Sequence, residues 1–226
     1  GASNENGTIN TTTTYSDSTA GVSVSTYTGT GSAATIGHGL GVAPKLIMVK
    51  NRSATDAWKV YHSGVASDPQ TDYLVLNTDA AIVDDSTVWN DTAPTSTVFS
   101  IGTHTDVNTS TETYVAYAFA EVAGFSSFGS YVGNGQVDAP FSYTGFRPAV
   151  VITKPSSRAD GWVIWDTKRD TYNLTAQFLT LETSNIEYTG TNRILDILSN
   201  GFKIKSGHDS VNNSGDTYVY IAFAEN

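Results

Sequence analysis

The chain matches itself when slid by 104 residues. Gly41-Val42-Ala43-Pro44 falls on Gly145-Phe146-Arg147-Pro148, and Lys50, Ser53, Asp56 and Trp58 fall on Lys154, Ser157, Asp160 and Trp162. Upstream, Tyr27 and Gly31 fall on Tyr131 and Gly135. Downstream, His104 falls on His208, and Tyr114–Glu121 falls on Tyr218–Glu225 with six of eight positions identical. One offset from end to end constrains the chain to two copies of one architecture. The units expected are residues 20–122 and 123–226. Before them, Gly1-Ala2-Ser3 reads as a tag scar. The rest of residues 1–19, with only Ile9 and Tyr15 able to join a core, reads as a linker or an added strand.

Composition sets the kind of architecture. Thr occurs 32 times and Ser 24 times in 226 residues, and Val outnumbers Leu by 20 to 9. β-branched and aromatic residues favour pleated surfaces, and a Leu-poor, Thr-rich chain makes few helices. No apolar run approaches the ~20 residues that span a bilayer. A net charge of −10 without a basic segment repels phosphate, so neither membrane nor nucleic acid is an expected partner. No Cys is present, which removes disulfides, thiolate metal sites and thiol nucleophiles.

Turn signals divide each copy into the same short strands. The first copy has candidates near 22–28, 46–51, 57–62, 73–77, 98–101 and 113–121. The second has them near 125–132, 149–154, 162–166, 177–182, 201–205 and 217–225. Ile194–Leu198 reads as a further strand or a helical turn. Strands at this spacing imply an all-β fold of tandem duplicated β-sandwich units, jelly-roll-like. Lys50 with Asp56, and Lys154 with Asp160, are expected to meet across matching loops. Trp58 and Trp162 are expected as matching core aromatics. In the last strand of the first copy Ala116, Ala118 and Ala120 share one face, which implies close approach of another segment there.

These stretches carry a resemblance: Gly7–Thr11, Gly39–Pro44, Val49–Arg52, Tyr114–Phe125, Tyr143–Pro148, Leu198–Phe202 and Tyr218–Asn226. The chain resembles a β-rich repeat domain of unknown function common in marine bacteriophage structural proteins. That domain sits at or near the C-terminus of tail or fibre-like proteins, often after a concanavalin-A-like domain. The resemblance implies a virion protein of the tail or particle surface, with other virion proteins and a host-surface glycan as partners. It assigns no catalytic residue. Symmetric assembly is expected in the parent particle. The isolated chain is expected to be a monomer or weak oligomer.

Enzyme signals are poor. No nucleophile elbow, zinc-binding helix or phosphate loop occurs. His104 and His208, with Asp106 and Asp209 beside them, are expected to hold loops, because a reaction centre is rarely kept twice at matched places. Asp209–Asp216 is oxygen-rich but lacks calcium-loop spacing and reads as a solvated hairpin loop. Neither a metal site nor a cofactor is expected. Trp89 lies in Asp84-Asp85-Ser86-Thr87-Val88-Trp89-Asn90-Asp91, which the second copy does not reproduce. A ring flanked by carboxylates and an amide can hold a sugar by stacking and hydrogen bonds, so Asp84, Asp85, Trp89, Asn90 and Asp91 are the candidate ligand-binding residues. A Trp tucked under its own loop is the competing reading. Three functions follow in order: a phage structural and adhesion module, a carbohydrate-binding module, and a polysaccharide-degrading enzyme. The third lacks a recognisable pair of catalytic carboxyls.

Overall fold

The computed structural model describes residues 1–225; Asn226, the last residue of the second copy and of the terminal motif, lies outside the described residues. The chain is all-β, built of several antiparallel sheets in a sandwich-like arrangement that closes no barrel. It divides into two compact units. One holds Gly1–Val75 with Val83–Val122, and the other holds Leu76–Ile82 with Ala123–Asn226.

The first unit runs β1 (Thr13–Asp17), β2 (Val22–Thr28), β3 (Ala34–Gly37), β4 (Leu46–Asn51), β5 (Lys59–His62), β6 (Asp72–Val75), β7 (Val83–Asp84), α1 (Ser86–Trp89), β8 (Val98–Ile101), α2 (Thr105–Asn108) and β9 (Thr113–Phe119). Seven strands make one sheet in the order β1-β2-β9-β4-β5-β6-β7, and β3 pairs with β8 in a second. The residues before Ala20 are a strand added to the unit's own sheet. β1 runs antiparallel to β2, and Ile9 bridges in parallel to Ile36 of β3. Ile9 is buried in the core, while Tyr15 faces solvent.

The second unit runs β10 (Ser126–Val132), β11 (Phe141–Tyr143), β12 (Pro148–Pro155), β13 (Val163–Asp166), β14 (Gln177–Thr180), β15 (Tyr188–Thr189), β16 (Leu195–Leu198), β17 (Gly201–Ile204), α3 (Asp209–Asn212) and β18 (Thr217–Ala224). Its sheets are β10-β18-β12-β13-β14-β15 and β11-β17-β16. The large sheets correspond strand for strand, β2-β9-β4-β5-β6-β7 against β10-β18-β12-β13-β14-β15. The first unit alone adds β1. Between its last short strand and the following one, the first unit places α1 where the second places β16, and of Ile194–Leu198 the residues Leu195–Leu198 form a strand and not a helical turn.

Period-2 patterning explains which faces pack. On β9, Tyr114, Ala116 and Ala118 belong to the core with Ile36, Phe99 and Ile101 of the small sheet, while Val115, Tyr117 and Phe119 are half-buried on the other face. Small residues on the inner face admit a close neighbour: Ser25 Oγ of β2 donates to the Gly37 carbonyl of β3 at 3.2 Å. The second core gathers Val151, Val163, Trp165, Phe178, Phe202, Tyr218 and Ala222.

Two expectations are corrected. The Lys50–Asp56 pairing does not form as an ion pair. Lys50 Nζ donates to the Asn51 and Ala54 carbonyls at 2.8 and 3.1 Å, and Asp56 accepts from Asn51 Nδ2 at 2.6 Å. Backbone carbonyls of a tight loop lie nearer the amine than the carboxylate does. Trp58 is also not a core residue like Trp162, which is fully buried. Trp58 is half-buried, stacked on Tyr117 at 6.2 Å on the outer face of the sheet.

Candidate functional site

The duplicated Tyr, Asn and His residues build one device, repeated in each unit. Tyr27 stacks on Tyr114 at 5.2 Å and Tyr131 on Tyr218 at 5.0 Å. Tyr27 Oη donates to the Val107 carbonyl at 2.8 Å, and Tyr131 Oη to the Val211 carbonyl at 2.7 Å. Tyr114 Oη donates to the Thr105 carbonyl, and Tyr218 Oη to the Asp209 carbonyl. Burial pushes all four phenols up, Tyr218 to about 12. Asn108 accepts from Thr30 N–H at 2.8 Å and donates to the Ser32 and Gly102 carbonyls. Asn212 does the same with Asn134 N–H and the Gln136 and Ser206 carbonyls. Every partner follows the offset of 104. Together these bonds tie the loop after β2 or β10 to the short helix before the last strand.

His104 and His208 cap those helices. His104 Nδ1 accepts the Asp106 N–H at 3.1 Å, and His208 Nδ1 accepts the Ser210 N–H at 3.2 Å. A histidine that accepts at Nδ1 carries its proton on Nε2. Asp106, although 3.8 Å from His104 Nδ1, therefore cannot orient the ring as a triad carboxylate does. Burial lowers the His208 pKa, with Arg193 adding to the effect.

Beside each cap a cation lies on a ring. In the first unit Lys59, 4% exposed, stands 3.8 Å from the centre of the Tyr73 ring and 3.2 Å from Asp106 Oδ2. In the second unit Val163, Phe178 and Ser210 take those places, by strand register and by the offset. Arg193 there supplies the cation from the loop before β16. Its guanidinium lies 5.2 Å from the Phe178 ring, and Nε donates to Ser210 Oγ at 2.5 Å. A positive charge at this point is thus supplied by different residues, one on a strand and one in a loop.

The sequence candidates cluster at one corner of the first unit. Asp85 caps α1: its Oδ1 accepts from the Thr87 N–H and hydroxyl at 2.9 and 2.6 Å, and the hydroxyl bond holds its carboxyl below the usual range. Asn90 ends α1 in the left-handed conformation and, with Asp91 and Asp84, faces solvent. The Trp89 ring is 2% exposed. Its Nε1 donates to the Asp72 carbonyl at 3.0 Å, and Tyr61 meets it edge-on at 6.0 Å. No face of the ring is open to a sugar, so the stacking expected of Trp89 is corrected: the Trp is tucked under its own loop. The polar neighbours that suggested a site are the two ends of a short helix.

Sequence reasoning missed Asp72. It lies opposite Asp84 in the β6–β7 pair, and burial raises its carboxyl, aided by Asp68 and Asp84. The only signal for it was the acidic run on both sides of one hairpin. Among the described residues no group of three or more His, Asp or Glu is placed to hold a metal ion. An open surface groove along the N-terminal segment is lined by Ala2, Asn4, Glu5, Thr14 and Ser16, with a single carboxyl.

With this geometry in view the family can be stated. Residues 1–226, the whole chain, match the model of a domain of unknown function, DUF7483. The chain belongs to that family. No curated protein and no solved structure matches the chain. Membership therefore fixes the domain over its full length and leaves its chemistry to the residues above.

Proposed function

We propose that the chain is a structural and adhesion module of a phage particle, tail or fibre-like, made by tandem duplication of a jelly-roll-like sandwich unit. One observation carries this reading: the two copies keep a framework and not a reaction centre. The Tyr–Asn–His device recurs with the same partners at the same offset, while the cation beside it comes from a strand in one unit and from a loop in the other. The resemblance to phage structural domains and the hydroxyl-rich, low-charge composition support it. Other virion proteins are its partners, with no role for nucleic acid or a catalytic cofactor, and among the described residues no helix is long and apolar enough to cross a membrane. Trp89 offers no platform for a host glycan, so glycan contact, where adhesion uses it, falls on other residues. The isolated chain is a monomer or weak oligomer that acquires symmetry in the parent particle.

The test is antibody labelling of purified particles from a phage that encodes the chain, with pelleting of the pure protein on intact host cells. Labelled tails or particle surfaces are expected. Particles without label, together with release of reducing ends from host polysaccharide by the pure protein, would replace the reading with an enzyme.

A further inference from the structure

The two small sheets differ at one edge, and the difference points to a binding partner. β11 is the outer strand of β11-β17-β16. Thr144 N–H donates to the Asn200 carbonyl at 3.0 Å, on the β17 side. Alternation then turns Ser142 toward β17 as well, and turns the backbone groups of Phe141 and Tyr143 outward. Tyr220 Oη takes the Tyr143 carbonyl at 3.3 Å. The Phe141 N–H and C=O and the Tyr143 N–H have no partner among the described residues.

The matching edge in the first unit is covered. There Thr35 pairs with Ser100 as Phe141 pairs with Lys203, with the buried Phe99 and Phe202 next in register. Thr35 N–H donates to Thr8 Oγ1 at 2.8 Å, and the Thr35 carbonyl accepts from Ile9 N–H at 3.1 Å. The covering segment, Gly7–Asn10, precedes β2 and is held in place by the pairing of β1 with β2. In the second unit the residues that precede β10 are already β9 of the first, so the position equivalent to the covering segment is taken by another strand. Its side chains are also open: Phe141 is 44% exposed and Tyr143 is 64% exposed. The Phe141 ring lies across Gly201, where a Cβ would come 2.7 Å from its Cζ. Such an edge recruits a strand.

We propose that the outer edge of β11 binds an extended segment of a partner protein, in the parallel register that Gly7–Asn10 takes on β3. The occupant is neutral and hydroxyl-rich, with an apolar residue where that segment has Thr8. Neutrality suits an edge whose nearby lysines, Lys203 and Lys205, already share Asp138 at 2.8 and 3.0 Å. The apolar residue follows from Phe141, which stands where Thr35 shares hydroxyl bonds with Thr8. The segment that covers β3 is itself engaged on β2 and β3, so the occupant proposed for β11 is a segment of another protein. This inference stands whatever particle the protein belongs to.

Amide hydrogen exchange on the whole chain tests it, with two synthetic peptides as probes: the sequence of residues 5–12, and the same peptide with Thr8→Val. Saturating Thr8→Val peptide is expected to slow exchange at Tyr143, which stands where Gly37 adjoins the Ile9–Ile36 bridge, by about tenfold, more than the unaltered peptide does. Phe141→Pro, at an N–H outside the ladder, is expected to abolish that protection. Phe141→Thr, which restores the first unit's residue, is expected to reverse the preference between the peptides. The proposal is overturned if neither peptide protects the Tyr143 amide at millimolar concentration, or if the preference ignores Phe141→Thr. Protection that grows with protein concentration alone would make a second copy the occupant. Protection by a neutral oligosaccharide but by neither peptide would make it a glycan.

Discussion

Lys154 gives the protein a stability that should rise with pH where most proteins lose it. The side chain is fully buried in β12. Its Nζ donates to the Pro155 carbonyl at 2.7 Å and the Asp79 carbonyl at 3.4 Å, both within the second unit. Burial lowers its pKa to about 8, and the nearby carboxylates of Asp160, Asp79 and Glu182 only partly oppose this. The unfolded chain holds that proton up to a pKa of about 10.4. Between these values the unfolded state binds more protons than the folded one, so stability rises as pH climbs through the window. The two pKa values make the charged lysine cost about 3 kcal/mol at neutral pH, and raising the pH from 7 to 10 returns about 2.5 kcal/mol. The perturbation is Lys154→Met, which keeps the volume and removes the titration. Urea unfolding followed by tryptophan fluorescence at pH 7, 8, 9 and 10 should show wild type gaining about 2.5 kcal/mol on the variant across the series. Buried phenols such as Tyr131 release protons more readily when unfolded and pull both proteins down at the alkaline end, so they cancel in the difference. A difference that stays constant from pH 7 to pH 10 would refute the argument, because it would mean that Lys154 ionises alike in both states.

Tyr27→Phe and Tyr131→Phe should each cost about 1–2 kcal/mol in urea unfolding, since each strands a buried carbonyl, Val107 or Val211; a loss confined to one would show that the two copies do not share the device. Trp162→Ala should cost about 3–5 kcal/mol and Trp58→Ala clearly less, a ranking read from thermal melts, because Trp162 is buried and Trp58 half-exposed. Asp106→Ser should cost about 3 kcal/mol by leaving Lys59 buried beside Tyr73 without its carboxylate, and Lys59→Val added to it should recover most of the loss; equal stabilities for the single and double variants would show that Lys59 does not depend on Asp106.

The repeat of residues at one offset was readable, and its identical residues make matching contacts: Tyr27 and Tyr131, Asn108 and Asn212, His104 and His208. The all-β class was readable from hydroxyl and β-branched content. The small elements were harder. Trp89 looked exposed because Asp84, Asp85, Asn90 and Asp91 flank it in sequence. On a single helical turn, however, flanking polar residues cap the ends while the middle of the turn can face the core, as Val88 and Trp89 do. Ile9 was one of only two residues of its segment able to join a core, and one aliphatic residue in register with Ile36 is enough to dock an extended segment whose other bonds come from backbone and threonine hydroxyls. Lys59 left no signal at all. All four residues of β5 are buried, so alternation could not mark one of them as polar and paired.

The differences between the copies separate structural demand from function more sharply than the identities do. Where one unit lacks the strand cation, a loop supplies one: Val163 stands where Lys59 would be, and Arg193 places a cation over the equivalent ring. That compensation is what selection for a stable sandwich leaves behind. At β3 and β11 nothing compensates. The second unit has lost the covering segment, gained two exposed aromatic rings in place of Thr35 and Gly37, and left outward backbone groups of the strand without a partner. An uncorrected edge of this kind is an aggregation liability that folded proteins ordinarily blunt with charge, proline or a cover. Its persistence beside a sister edge that is covered is explained when the cover for β11 arrives from outside the chain.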